Sequence, residues 1–381
     1  MQTSKRSCDI TAFLVMDIME RAKEMEASGK DIIHLEVGEP DFDTPLCVQK
    51  AAAKAMHEGH THYTHSMGLP ALREAISRHY KKTYGANVSP EQIIITSGSS
   101  PGLLMAFACL MDAGDEIIMT DPYYACYRNF ARFLDVTPKF IPLYADEGFQ
   151  LDPVRVKNAI NRKTRAILIN SPANPTGVCL DETHMKEIAG LGVPVISDEI
   201  YHGLVYNRGQ HTILEYTDNA IVVNGFSKAY AMTGWRLGWT VLPQDLVRIA
   251  QKMHQNLMIC APSTAQWGGI AAIDHASQDA AKMKETFERR RKVMLETMGQ
   301  YNIKVAIEPT GAFYVLTDMR GVDMDSMKLA IEILENTGVG LTPGIDFGQQ
   351  AQGHLRFSYA NSEENIIKGI QRVGEYLDKR R

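Results

Sequence analysis

The sequence predicts an α/β fold, a mostly parallel sheet sandwiched by helices, with a smaller α+β domain attached. Three observations lead there. From about residue 46 to 245, helical segments alternate with short β-rich runs, the pattern of βαβ units. Those runs are nearly continuous in Ile and Val, which is how strands buried on both faces of a parallel sheet read. Beyond 245 the alternation gives way to long helices and a few strands.

Residues 11–28 have amphipathic helical spacing and stop at Gly29, a glycine suited to the left-handed C′ position. DIIHLEV (31–37) reads as a short strand before the turn-like GEPDFDTP. The main sheet is expected from QIIIT (92–96), EIIMT (116–120), KFIPL (139–143), RAILIN (165–170), PVISD (194–198) and AIVVNGF (220–226). Helical stretches then cover roughly 263–301. KVAIE (304–308), AFYVLTDM (312–319) and HLRFSYA (354–360) read as strands, with a helix near 323–337 and a charged closing helix. The expected division is a large domain at 46–285 and a discontinuous small domain built from 1–45 and 286–381.

The 381 residues suffice for about two or three domains. Hydrophobic residues at 45% and charged residues at 22% are ordinary for a globular chain, which argues against disorder. A net charge of −5 argues against a nucleic-acid binder. Asp9 and Asp17 interrupt the early apolar run, so a signal peptide is not expected, and no run reaches the length of a membrane span. Cys8, Cys47, Cys109, Cys126, Cys179 and Cys260 include no C-x-x-C pair. They read as buried free thiols of a reducing cytoplasm.

In such sheets ligands gather at the carboxyl ends of the strands, and chemistry-bearing residues cluster there. Ser227 and Lys228 follow one strand end, and Arg236 lies eight residues beyond the lysine. A lysine amine can form a Schiff base with an aldehyde, and serine and arginine suit a phosphate. Together they suit pyridoxal phosphate, which carries both groups. Asp198 ends PVISD, where a carboxylate could equally cap the next helix. NSPANPTG (170–177) forms a rigid proline turn, with a cis Asn174–Pro175 bond expected. In TSGSSPG (96–102), Ser100 reads as an N-cap and Pro101 as the first helical residue. This is not the glycine fingerprint of dinucleotide sites. His60, His62 and His65 sit on a polar loop with no carboxylate or cysteine constellation, so no metal is expected.

Gly225 to Gly238 (GFSKAYAMTGWRLG) resembles the lysine-attachment signature of class I/II aminotransferases, pyridoxal-phosphate enzymes of fold type I, some of them aspartate or aromatic aminotransferases. The similarity runs from about Ile32 to Arg356. It implies that Lys228 holds pyridoxal 5′-phosphate as a Schiff base, and that Asp198 pairs with the ring nitrogen. Tyr201 and Asn174 then meet the phenolic oxygen, and Tyr124 stacks on the ring. Ser99, Ser100, Ser227 and Arg236 hold the phosphate. Tyr63 reaches the site of a neighbouring subunit, which requires a homodimer. Arg356 clamps the substrate α-carboxylate, with Gly38 and Asn174 beside it. Lys228, Asp198 and Tyr201 carry the catalysis, whereas Glu199 receives no role.

The implied reaction is ping-pong transamination between an L-amino acid and a 2-oxo acid, 2-oxoglutarate foremost. A lyase or decarboxylase on the same scaffold is the near alternative. A regulatory protein with an aminotransferase-like domain is the distant one, disfavoured by the intact Lys228 and the absence of a basic arm. An acidic substrate would need a second cation, for which Arg21, Lys50, Arg128 and Arg132 are available in sequence. The apolar ITAFLVM segment leans instead toward neutral or aromatic substrates.

Overall fold

A computed structural model describes residues 2–380. Its centre is a seven-stranded sheet in the order Ile93–Thr96, Gly238–Val241, Ala220–Gly225, Val195–Asp198, Thr164–Asn170, Glu116–Asp121, Thr137–Pro142. All neighbours run parallel except at Gly238–Val241, which is antiparallel to both strands it joins. Ile93, Ile94, Ile95, Ile117 and Ile118 are fully buried, as a sheet covered on both faces requires. Helices Leu46–His57, Pro70–Tyr84 and Ser263–His275 contribute to the core on one face. Helices Ser99–Leu110, Cys126–Phe133 and Gln244–Leu257 cover the other.

The Gly238–Val241 strand is not anticipated in the sequence reading, because GWTV follows a turn and starts on glycine. That glycine is required: a Cβ there would sit 2.8 Å from the Asn224 carbonyl oxygen and from Gly98 backbone.

A third apolar core joins the two ends of the chain. Ile18 and Ala22 of helix Leu14–Ala27 pack with Phe287, Met294, Ile333, Ile370 and Val373 from three C-terminal helices. Beneath them lies a three-stranded antiparallel sheet of Thr342–Pro343, His354–Ser358 and Tyr314–Asp318. The N-terminal strand contracts to Ile33–His34, pairing in parallel with Val339–Gly340. Residues from Val37 onward leave the pairing to line a cavity. KVAIE does not form a strand; only Val305 bridges, to Thr317. The helix Ser277–Gln300 runs unbroken through residue 285. Gly29, at φ +88°, follows the first long helix in the expected left-handed role. Of the six free cysteines only Cys179 is buried; Cys47, Cys109, Cys126 and Cys260 are half-buried, and Cys8 is exposed because its short helix Lys5–Asp9 buries nothing. Among the described residues no helix is long and apolar enough to cross a membrane.

Candidate active site

A cavity of about 390 Å³ opens where the parallel strands end, with the C-terminal three-stranded sheet on its far side. Three neighbouring chain segments deliver its polar groups. Thr164–Asn170 ends at Asn170, Val195–Asp198 at Asp198, and Ala220–Gly225 leads directly into Ser227 and Lys228.

Lys228 Nζ donates to the Gly38 carbonyl at 2.5 Å. Burial pushes its pKa down to about 8, aided by the cations Arg356 and Arg236 and opposed by Glu39 and Asp198. Asp198 is almost fully buried, and burial raises its carboxyl to about 6. Two donors hold the carboxylate against that rise, the Tyr127 hydroxyl at 2.6 Å and the Ile200 amide at 3.1 Å. The neighbouring Glu199 points elsewhere. It accepts from Ser197, Thr212 and the Ile213 amide and braces the segment behind the strand, burial raising it to about 8.

Arg356 lies in strand His354–Ser358 at 3% exposure. It donates to Asn174 Oδ1 (2.8 Å), the Glu36 carbonyl (2.6 Å) and Thr342 Oγ1 (3.0 Å), all uncharged. Its guanidinium lies over the Tyr314 ring at 4.2 Å, and its Nε is buried without a partner. A buried cation with neutral neighbours is costly until an anion arrives. Asn174 is set by its amide, which donates to Asn170 Oδ1, and by a following proline; the Asn174–Pro175 bond is cis.

Opposite Arg356, helix Ser99–Leu110 begins two residues earlier than expected. Gly98, not Ser100, is the N-cap, with φ +98° and no side-chain cap. Ser99 and Ser100 therefore occupy the first turn, and their hydroxyls are released to the cavity instead of being used as caps. The first-turn amides of this helix have no intrahelical partners and favour an anion. A Cβ on Gly98 would lie 2.6 Å from Arg236 Nη2, so the glycine admits the arginine. Arg236 is itself held by a bond to the Thr233 carbonyl.

The cavity thus gathers Gly38, Ser99, Ser100, Tyr124, Asn174, Asp198, Tyr201, Ser227, Lys228, Arg236 and Arg356. Tyr201 is buried with its hydroxyl 2.8 Å from that of Tyr314. Tyr63 is not brought there. It is 80% exposed on a surface loop. Sequence reasoning missed Tyr127, Tyr314 and Glu39. Tyr127 stands three residues after Tyr124, and that spacing on one turn was the available signal. Tyr314 carries no local signal; its role comes from the register that sets strand Tyr314–Asp318 beside Arg356. Arg21 pairs with Glu24 and Glu335, and Arg132 donates to the Asp9 carbonyl. Neither these nor Lys50 and Arg128 line the cavity.

The family model described as aminotransferase class I and II matches residues 30–373. The (5-formylfuran-3-yl)methyl phosphate transaminase of Methanocaldococcus jannaschii is 41% identical over 99% of this chain and 100% of its own. Two solved structures superpose throughout. One, from Methanococcus jannaschii and described as similar in its active site to kynurenine aminotransferases, is 40% identical with a TM-score of 0.91, covering 99% of this chain and 100% of that one. The other, Thermus thermophilus aspartate aminotransferase with maleate, is 34% identical with a TM-score of 0.95, covering 98% and 99%.

Proposed function

The chain belongs to the class I and II aminotransferases, and on that premise we propose that it moves the amino group of an L-amino acid to a 2-oxo acid, 2-oxoglutarate being the expected acceptor, with pyridoxal 5′-phosphate attached at Lys228. The observation that carries this reading is the Lys228 amine itself. It sits at a cavity wall with a pKa lowered to about 8, between an uncapped helix start and a buried arginine lacking an anion.

The residues present fit the cofactor. The unpartnered Arg356 Nε and the cradle that a Gly98 Cβ would fill both call for anions that the chain does not supply. Asp198 would take the ring nitrogen, Tyr201 and Asn174 the phenolic oxygen, and Tyr124 the ring face. Ser99, Ser100, Ser227 and Arg236 would take the phosphate, joined by Tyr63 of a second copy in a homodimer. When bound, pyridoxal phosphate supplies an electron sink for the substrate α-carbon.

The chain's own groups do the rest. Arg356 fixes the α-carboxylate through its planar fork, beside the open backbone of Gly38. The lowered pKa makes the neutral amine of Lys228 accessible near pH 8, which suits it to carry a proton to and from the α-carbon. Anionic Asp198, held by Tyr127, keeps positive charge on a ring nitrogen. Donor and acceptor occupy one site in turn, so ping-pong kinetics follow. We read the chain as a large domain at 46–285 with a small domain from both termini, working in the cytoplasm.

Borohydride reduction of the holoenzyme followed by peptide mapping tests the assignment. Label at Lys228 together with parallel double-reciprocal plots supports it. Label at another lysine overturns the attachment at Lys228, and release of ammonia from donor without an acceptor overturns transamination in favour of lyase chemistry.

A further inference from the structure

Residues 34–38 carry two backbone groups of the site: the Glu36 carbonyl accepts from Arg356 and the Gly38 carbonyl from Lys228. The Glu36 side chain has no part in the chemistry proposed above, yet it is a carboxyl with no exposure at all. An ionised carboxyl so placed is costly unless it is paired. Successive residues of an extended chain face opposite ways, so Leu35 enters the apolar core while His34 and Glu36 share the other face. His34 Nδ1 lies 2.5 Å from Glu36 Oε1, and its Nε2 lies 3.3 Å from Oε1 of the exposed Glu26 on helix Leu14–Ala27. Carboxylates only accept, so both ring nitrogens must donate, and the ring that does so is the imidazolium. The bond to Glu36 raises the His34 pKa above the ordinary 6.5, against the ring's burial and with Glu26 adding to the rise. His34 thus brings the buried carboxylate a positive partner.

The same residue reaches the strand that holds Arg356. Glu36 Oε2 has no hydrogen-bond partner and rests against Gly340, where a Cβ would lie 2.7 Å from the Glu36 Cδ. The Leu35 amide donates to the Gly340 carbonyl at 3.1 Å. Two residues on, Thr342 Oγ1 donates to the Glu36 carbonyl at 3.1 Å and accepts from Arg356 Nη2 at 3.0 Å. Glu36 therefore meets residues 340–342 twice, through its side chain at Gly340 and through its carbonyl at Thr342. Both acceptors of Arg356 Nη2, the Glu36 carbonyl and Thr342 Oγ1, belong to these two segments. The aim of the guanidinium is set by how the segments sit against each other. Glu36 is enclosed by its own chain, so a second copy in a dimer does not touch it.

We propose that Glu36 is a positioning residue for the carboxylate clamp: its side chain, neutralised by the His34 imidazolium, seats residues 340–342 against residues 33–36 and thereby aims Arg356. The proposal rests on the aminotransferase reading, in which Arg356 takes the substrate α-carboxylate.

His34→Leu leaves the Glu36 carboxylate buried without its cation. The carboxyl must then move or take up a proton, and either change loosens its seat at Gly340. Glu36→Gln keeps the volume and one acceptor oxygen and needs no cation. The two substitutions together should therefore do less harm than His34→Leu alone. Raising the pH strips the same charge from wild type. The charged groups acting on His34 are Glu36 from its own segment and Glu26 from helix Leu14–Ala27. The adjoining strand Val339–Gly340 has no titratable side chain, and Asn361, which donates to the His34 carbonyl, is neutral.

Calorimetry of the holoenzyme with 3-phenylpropionate and with maleate measures the clamp apart from turnover. For the tighter of the two, Kd should rise about tenfold in His34→Leu and no more than about threefold in Glu36→Gln. The double variant should return to within about threefold of wild type, the non-additivity of two residues in contact. In turnover, donor KM should follow Kd while kcat stays within about twofold. Wild type gives a second readout that decides the matter if His34→Leu does not fold. Its Kd should weaken by about threefold as pH rises past the His34 pKa, and the Kd of Glu36→Gln should change less. An unchanged Kd in a folded but less stable His34→Leu overturns the proposal, as does a double variant as weak as His34→Leu. Parallel pH profiles for wild type and Glu36→Gln overturn it too. If neither carboxylate binds any of the proteins, the aminotransferase reading fails and the proposal falls with it.

Discussion

The Tyr127 hydroxyl donates to Asp198 Oδ2 at 2.6 Å, joining helix Cys126–Phe133 to the end of a strand 71 residues further along the chain. This bond favours the ionised carboxyl and opposes the burial that lifts its pKa to about 6. Tyr127→Phe should therefore raise the Asp198 pKa further. The acid limb of the kcat–pH profile should move up by about one pH unit, the effect of a charge-assisted bond of about 1.5 kcal/mol, and kcat at pH 7 should fall by about twofold. A superimposable pH profile would falsify this role.

Arg356→Lys keeps the charge and removes the fork. The present arginine uses two nitrogens on three uncharged acceptors and leaves the Nε free. A lysine cannot hold Asn174 and Thr342 while also gripping a carboxylate bidentately. KM for the donor should rise by about a hundredfold, about 2.7 kcal/mol. Initial rates over a wide donor range measure this, and a KM within threefold of wild type speaks against the clamp.

The strand-end residues are legible in the sequence because the relevant information is local. Asp198, Ser227 and Lys228 each lie just where a hydrophobic run stops, so topology places them once a parallel sheet is inferred. Asn174 is legible because two prolines and a glycine mark its turn. Ser100 was misassigned for an equally local reason. Ser-Pro reads as a cap followed by the first helical residue, but Gly98, at positive φ, is the N-cap and the helix begins two residues sooner. Tyr314 and Asp346 were illegible because their partners are distant in sequence. Asp346 caps a helix some 330 residues away, and no window of the chain contains both. KVAIE has strand composition but only one bridging neighbour, a case of tertiary context overriding pattern.

Lys228 gives a thermodynamic test independent of turnover. Its folded pKa of about 8 lies below the ordinary 10.5, so between those values the unfolded chain binds more protons than the folded one. Stability of the cofactor-free protein from this group therefore rises with pH across that window and is lowest below pH 8. Lys228→Met removes the buried charge. Its Tm should exceed that of wild type at pH 7, and the gap should narrow toward pH 10. Calorimetric scans at several pH values check the trend; a gap that widens with pH contradicts the shift.

Gly98 should tolerate no side chain. Its φ of +98° disfavours any L-residue, and an added Cβ would meet Arg236 Nη2 at 2.6 Å. Gly98→Ala should displace the arginine from the start of helix Ser99–Leu110 and weaken cofactor binding by about tenfold, with a stability loss of about 1–3 kcal/mol from backbone strain. Titration of the cofactor-free protein with pyridoxal phosphate measures the first, and urea unfolding the second. Unchanged affinity with reduced stability would make the glycine purely structural.

Asp346 caps the N-terminus of helix Leu14–Ala27, whose Val15, Met16 and Met19 line the cavity. The helix Leu14–Ala27 starts after Phe13, a residue type unable to cap, and no side chain of its own segment bonds the first amides. Asp346 supplies that cap from the turn Gly344–Phe347, and it is nearly buried, so water does not readily replace it. Asp346→Ala should cost about 1 kcal/mol of stability through the lost cap. If the cap only stabilised the fold, donor KM and kcat would be unaffected well below the Tm. If it also positions Val15, Met16 and Met19 at the cavity, KM for the donor should rise by about fivefold or more with little change in kcat, since none of these residues is assigned to the reacting atoms. Asp346→Asn keeps one acceptor oxygen and should recover most of the loss. Equal KM values in all three proteins would remove Asp346 from substrate recognition.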